Sequence, residues 1–129
     1  MSAERDAILS AQYVALTTYR RDGTPVTTPV WAAAEGESLY LFSNAAAGKV
    51  KRLRNSSRAA IAPCTAIGKV TGTQLPAEAF NLASDQMPKV WRLLAKKYGM
   101  AVRLFMAYDR ARALLRMQPS AGIEVRLTP

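Results

Sequence analysis

The run Tyr13-Val14-Ala15-Leu16-Thr17-Thr18-Tyr19-Arg20-Arg21-Asp22-Gly23-Thr24-Pro25-Val26-Thr27-Thr28-Pro29-Val30-Trp31 decides the fold. Its first half is rich in β-branched and aromatic residues, which suit a pleated surface, so Gln12 to Tyr19 reads as a strand. Asp22-Gly23 then stands between two such runs. Glycine tolerates positive φ, so this dipeptide marks a hairpin. Pro25 to Ala34 is the returning strand. Pro29 falls inside it. Proline cannot donate to a ladder, so this strand belongs at an edge, at a bulge or facing a ligand.

The rest of the chain extends this start. Upstream, Ser2 to Leu9 reads as a short helix with Ser2 as N-cap. Downstream, Glu35-Gly36-Glu37-Ser38 is a turn, and Leu39 to Ser43 alternates as a third strand. Asn44 to Asn55 breaks the meander. Val50 and Leu53 lie three apart among Lys49, Lys51, Arg52 and Arg54, the pattern of a basic amphipathic helix. Arg58 to Pro63 is a strand. Lys69 to Thr73 opens another, which bends at Pro76 and continues from Glu78 to Leu82. A helix capped by Ser84 or Asp85, with Pro88 in its first turn, stops at Gly99 behind Lys96 and Lys97. A second helix runs from Ala101 to Met117. Its Ala101, Leu104, Phe105, Tyr108, Ala111 and Leu115 recur at helical spacing, as a core-packing and dimer-supporting stripe would. Ile123 to Leu127 is a closing strand. The order β-β-β-α-β-β-α-α-β predicts one domain over residues 1–129: α+β, mainly β with helices, a small six-stranded antiparallel barrel with helices packed outside it.

Composition narrows the chemistry. The chain has 129 residues, half of them apolar, with 18 Lys plus Arg against 9 Asp plus Glu, a net charge of +9. No histidine occurs, which removes Ser-His-Asp and Cys-His catalysis and His-ligated zinc. Cys64 is the one cysteine, read as structural because no base stands by to activate it. No metal site is expected. A catalyst of this composition must take its chemistry from a bound cofactor. The N-terminal residues do not resemble a signal peptide and no apolar run reaches ~18 residues, so a cytoplasmic protein without membrane association is expected. The surplus charge implies an acidic partner.

Two segments can carry chemistry. Ser43 to Arg54 delivers a hydroxyl, a small-residue loop with Gly48, and a helix start carrying Lys49. Free backbone N–H groups, the helix dipole and a cation together form an anion site; the same residues also suit a solvated helix face. Thr27-Thr28-Pro29-Val30-Trp31 would line a flat aromatic ligand or pack the core. The arginines and lysines from Lys96 to Arg116 spread over several helix faces, unlike a recognition helix, so a nucleic-acid partner is disfavoured.

Together these pieces resemble the pyridoxamine 5′-phosphate oxidase-like superfamily of split β-barrel flavoproteins. The resemblance spans Gln12 to Leu127 and rests on the opening run with Leu39-Tyr40-Leu41-Phe42-Ser43, Gly48 to Asn55, Ala62-Pro63-Cys64 and Lys96-Lys97-Tyr98-Gly99. It looks most like the branch of F420-dependent enzymes found mainly in actinobacteria. The resemblance implies an FMN-binding split barrel that forms a homodimer with two cofactor grooves at the interface. It implies coenzyme F420, or alternatively FMN, with the phosphate near Ser43, Gly48, Lys49 and Arg52. Thr28, Pro29, Val30 and Trp31 would follow the ring, and Phe42 with Ser43 matches the family's aromatic-hydroxyl pair. The expected activity is hydride transfer between F420 and a flat conjugated small molecule. The alternatives are an FMN oxidase or reductase, a non-catalytic F420 carrier, and a nucleic-acid-binding module. No general acid is evident; Tyr40, Tyr98, a lysine or water would serve.

Overall fold

The computed structural model describes residues 3–44, 47–115 and 120–127. Ser2 and Met117, expected as a cap and a helix end, lie outside them. Helix α1 (Ala3–Ser10) precedes strands β1 (Tyr13–Tyr19), β2 (Pro25–Val30), β3 (Ala33–Glu35) and β4 (Ser38–Asn44). Helix α2 (Gly48–Asn55), β5 (Arg58–Cys64) and β6 (Leu75–Asn81) follow. Then come α3 (Met87–Tyr98), α4 (Met100–Leu114) and β7 (Ser120–Leu127).

All paired strands are antiparallel and form one sheet in the order β2-β1-β5-β6-β7-β4-β3. The sheet has seven strands where six are expected, because the returning strand of the opening run divides. Its first part pairs with β1 and its last part with β4, at opposite ends of the sheet. Laid flat, six inter-strand spacings would set these edges about 29 Å apart. The chain from Val30 to Ala33 is three Cα steps long and reaches at most about 11 Å. The sheet must therefore curl so that its two edges approach where β2 passes into β3, which gives a half-barrel.

The alternation of β1 sorts the two faces. Val14 and Leu16 point inward with Leu39, Leu41, Ile61, Ile123 and Val125, and Ile8, Val50 and Leu53 from α1 and α2 join this core. Tyr40 and Phe42, on the opposite face of β4, pack beneath Val90, Trp91, Leu94 and Val102 of α3 and α4. Helices α3 and α4 thus cover the outside of the barrel, as expected, while α1 and α2 pack on its inner core.

Three local expectations are corrected. Lys69 to Thr73 forms no strand; only an isolated bridge joins Cys64 to Val70. A turn closed on itself replaces it, with Thr65 N–H donating to Lys69 O and Gly68 N–H to Thr65 O. Neither Ser84 nor Asp85 caps α3. A 3₁₀ turn over Ser84–Gln86 leads into the helix instead, with no side-chain cap bond and Pro88 at its start. The apolar stripe of α4 is largely exposed, although the Phe105 ring meets Trp31 and Phe42. Leu104 is 66 %, Tyr108 60 % and Phe105 44 % exposed, whereas Val102, outside the stripe, is fully buried. Helical spacing defines a face without saying what the face meets.

Candidate functional site

The hairpin after β1 turns as its sequence implies. Gly23 has φ +89°, a conformation that a side chain would strain. Arg20 N–H donates to Thr24 O, and the Asp22 carboxylate accepts from Thr24 N–H at 2.9 Å. That backbone bond, the largest of several influences, holds Asp22 below the ordinary carboxylate range. Arg20 and Arg21 are thereby presented on an ordered turn.

Helix α2 brings a second group of cations to the same end of the barrel. Val50 and Leu53 anchor it in the core, which fixes the direction of Lys49 and Arg52. Lys49 Nζ donates to Ser43 Oγ at 3.4 Å, so the hydroxyl residue and lysine singled out from sequence meet. Burial, then the neighbouring Arg52 charge, pushes Lys49 below its ordinary pKa. Arg52 Nε donates to the buried Thr18 Oγ1 at 2.6 Å. Burial, then Arg20, lowers its pKa too. A Cβ on Gly48 would lie 2.7 Å from Arg52 Nη1, so glycine there lets the guanidinium lie against the helix start.

A cavity of about 350 Å³ opens beside Arg52, lined by Tyr19, Arg20, Arg21, Asn55 and Arg58 among others. Arg58 sits over the Tyr19 ring, 3.8 Å from its centre. Among the described residues, Arg20, Arg21, Lys49, Arg52 and Arg58 have no carboxylate within ion-pair distance; the three ion pairs present lie elsewhere. Lys49 and Arg52 are partly withdrawn from water, Arg20, Arg21 and Arg58 are exposed around them, and like charges gathered in this way favour an anion among them. This donor set therefore fits a phosphate or other polyanionic group.

The β2 residues are divided. Thr28 faces inward opposite Leu16, and its hydroxyl is buried with no hydrogen-bond partner. Pro29 is exposed on the other face, opposite Ala15. Val30 packs at the margin of the inner core. Within the described sheet β2 pairs only with β1, so one side of its backbone is open. Trp31 and Phe42 belong to a different neighbourhood. Trp31 stacks on Tyr98 with ring centres 5.0 Å apart and meets Phe105 edge-on at 5.4 Å. Phe42 lies 4.8 Å from Trp91 and 5.7 Å from Phe105. Ser43 and Phe42 are adjacent in sequence, yet strand alternation sends Ser43 toward Lys49 and Phe42 under α3.

Neither tyrosine named as a proton donor is free. Tyr98 Oη lies 2.6 Å from Gln12 O and 2.8 Å from Ala32 O, and accepts from Ala32 N–H at 3.1 Å. Lys97 Nζ donates to Ala11 O and Ala32 O, each at 2.6 Å. Lys97 and Tyr98 therefore tie Ala32, in the short link between the sheet's edges, to the Ala11-Gln12 link between α1 and β1. The Tyr40 hydroxyl accepts from Lys89 Nζ at 3.3 Å. The cationic cavity lining of Arg20, Arg21 and Arg58 escaped the reading of the sequence. The pairing of β1 with β5, which sets Arg58 beside Tyr19, joins segments nearly 40 residues apart. No local pattern announces it.

Comparison with known proteins agrees with this architecture. The family model for pyridoxamine 5′-phosphate oxidase matches residues 1–126. No curated protein sequence matches the chain. Among solved structures, an F420 reductase superposes with a TM-score of 0.62 at 19 % identity, covering 100 % of this chain and 96 % of that one. An FAD-binding protein from Mesorhizobium loti gives 0.67 at 16 % identity, covering 100 % and 91 %. The protein Atu2129 of unknown function from Agrobacterium tumefaciens gives 0.63 at 16 % identity; this chain is covered over 97 % of its length but spans only 54 % of that protein. At such identities the likeness bears on the fold, while the family match spans nearly the whole sequence. By that match and by its curled antiparallel sheet with outer helices, the chain belongs to the pyridoxamine 5′-phosphate oxidase family.

Proposed function

We propose that this protein is an oxidoreductase that transfers a hydride between the deazaflavin coenzyme F420 and a flat, conjugated small-molecule substrate. The observation that carries this reading is the uncompensated cluster of Lys49, Arg52 and Arg20, with Arg21 and Arg58 lining the adjoining cavity. F420 bears a phosphodiester and an oligoglutamate tail, and so brings more negative charge to such a cluster than FMN does. The F420 reductase among the structural relatives supports the same choice.

When bound, the deazaflavin supplies the hydride-carrying ring carbon, which no side chain of this composition replaces. The chain's own residues bind and orient. Ser43, Lys49 and Arg52 would hold the phosphate, with Gly48 admitting its close approach. Thr28, Pro29 and Val30 on the open edge of β2 would follow the ring, while Trp31 and Phe42 stay in the outer aromatic cluster with Tyr98, Trp91 and Phe105. The unpartnered Thr28 hydroxyl is a hydrogen-bonding group still seeking an acceptor or donor, as a ring-facing residue would be. Stacking the substrate against a held ring converts the encounter into a near-unimolecular step and excludes water.

The acting unit in this reading is a homodimer, and the exposed apolar face of α4 supports it. An FMN-dependent oxidase or reductase is the second reading, favoured by the FAD-binding relative. Separate titrations of the purified protein with F420 and with FMN test the choice. A lower Kd for F420, followed by substrate-dependent oxidation of its reduced form, is expected. Tighter binding of FMN overturns the F420 assignment, and F420 binding without turnover leaves a carrier.

A further inference from the structure

A second cavity, of about 580 Å³, lies between α3 and α4, away from the basic end of the barrel. Two helical faces make it. Pro88, Trp91, Arg92 and Ala95 recur at spacings of three and four along α3, and Arg103, Met106, Ala107 and Arg110 do so along α4. The floor is apolar: Trp91 is largely buried and Met106 half-buried. The rim is cationic. Arg92, Arg103 and Arg110 have no ion-pair partner among the described residues. One carboxylate, Asp109, also lines the cavity; its Oδ1 accepts from Ser120 N–H at 2.8 Å, and the three arginines outnumber it.

We propose that this cavity binds an amphiphilic small-molecule anion, with an apolar body against Trp91 and Met106 and a carboxylate or phosphate head among Arg92, Arg103 and Arg110. Its volume falls in the range of small-molecule sites, which are mostly apolar with a few convergent polar groups. Guanidinium groups match planar and tetrahedral oxyanions through paired N–H donors, and free arginines at an apolar mouth select a charged head over a neutral one. The site is distinct from the proposed cofactor groove, since none of its lining residues lines the basic cavity of Arg20 and Arg52.

Calorimetric titration of the cofactor-free protein with 2-naphthoate, 2-naphthyl phosphate and the neutral 2-naphthamide tests it. At least one anion is expected to bind tenfold or more tightly than the amide, and the better of the two identifies the head group. Arg103→Gln and Arg110→Gln should each weaken that anion several-fold. Ala107→Trp, which fills the exposed mouth without touching the core, should abolish its binding. Lys69→Gln, which removes an exposed positive charge from the turn after β5, should leave it unchanged. No binding at millimolar concentration, equal binding of amide and anion, indifference to Ala107→Trp, or loss with Lys69→Gln would each overturn the proposal.

Discussion

Lys49 illustrates the tension at single residues. It is held half out of water beside Arg52, with Ser43 Oγ as its polar contact. Charge-assisted hydrogen bonds contribute about 1.5–3 kcal/mol. Lys49→Ala should therefore weaken F420 binding by roughly tenfold to a hundredfold, with the circular dichroism spectrum intact. The pH dependence follows from the direction of its shift. A lysine whose folded pKa is depressed binds fewer protons folded than unfolded. Its charge therefore opposes folding at neutral pH, and that penalty is relieved as pH rises through the lowered pKa. A bound anion favours the charged form. Cofactor affinity should thus decline as pH rises through a value below the ordinary 10.5, and the decline should vanish in Lys49→Ala. By the same logic, Lys49→Met should raise the Tm of the cofactor-free protein while losing affinity. Equal Tm values would show that the site carries no electrostatic strain.

At the scale of elements, the C-terminal end of α3 acts as a clasp. Lys97 and Tyr98 reach the backbone of Ala11 and Gln12, between α1 and β1, and of Ala32, where the chain leaves one sheet edge for the other. Tyr98→Phe keeps the stack on Trp31 but leaves the buried Ala32 peptide without its hydroxyl partner. Such a loss costs about 1–3 kcal/mol. For a domain of this size the Tm should fall by roughly 3–12 °C, read in a thermal melt. Gly99 lets α3 end and α4 begin at once, with φ +69°. Gly99→Ala should destabilise by about 1 kcal/mol or more, measured by urea denaturation, because alanine resists that conformation.

For the whole molecule, the outer face of α4 is an apolar surface fit to meet a partner. Leu104, Tyr108 and Phe105 are exposed side by side around a shallow apolar hollow of about 410 Å³. Contiguous exposed apolar surface marks an interaction site. If a second copy covers it, light scattering should give twice the chain mass. Leu104→Lys should then shift the protein to monomer and remove the dependence of Tm on concentration. A monomeric mass for the unaltered protein would place the acting unit in one chain.

The sequence by itself determined the class of fold and the local grouping of Ser43, Gly48, Lys49 and Arg52 proposed to meet an anion. The Asp22-Gly23 hairpin, the alternation of β4 and the anchoring of α2 by Val50 and Leu53 are local patterns with local causes, and each appears as read. Ser43, Gly48, Lys49 and Arg52 were legible for the same reason: they lie within ten residues and one strand-to-helix turn. Tertiary structure alone decided the rest. The division of the strand after Val30, the bonds of Tyr98 to Ala32 and the placing of Arg58 beside Tyr19 depend on partners distant in the chain. Helical spacing showed that α4 has an apolar face but not that Val102, rather than Leu104, turns toward the core. A period is a property of one element, whereas burial and charge balance belong to the surfaces that elements present to each other.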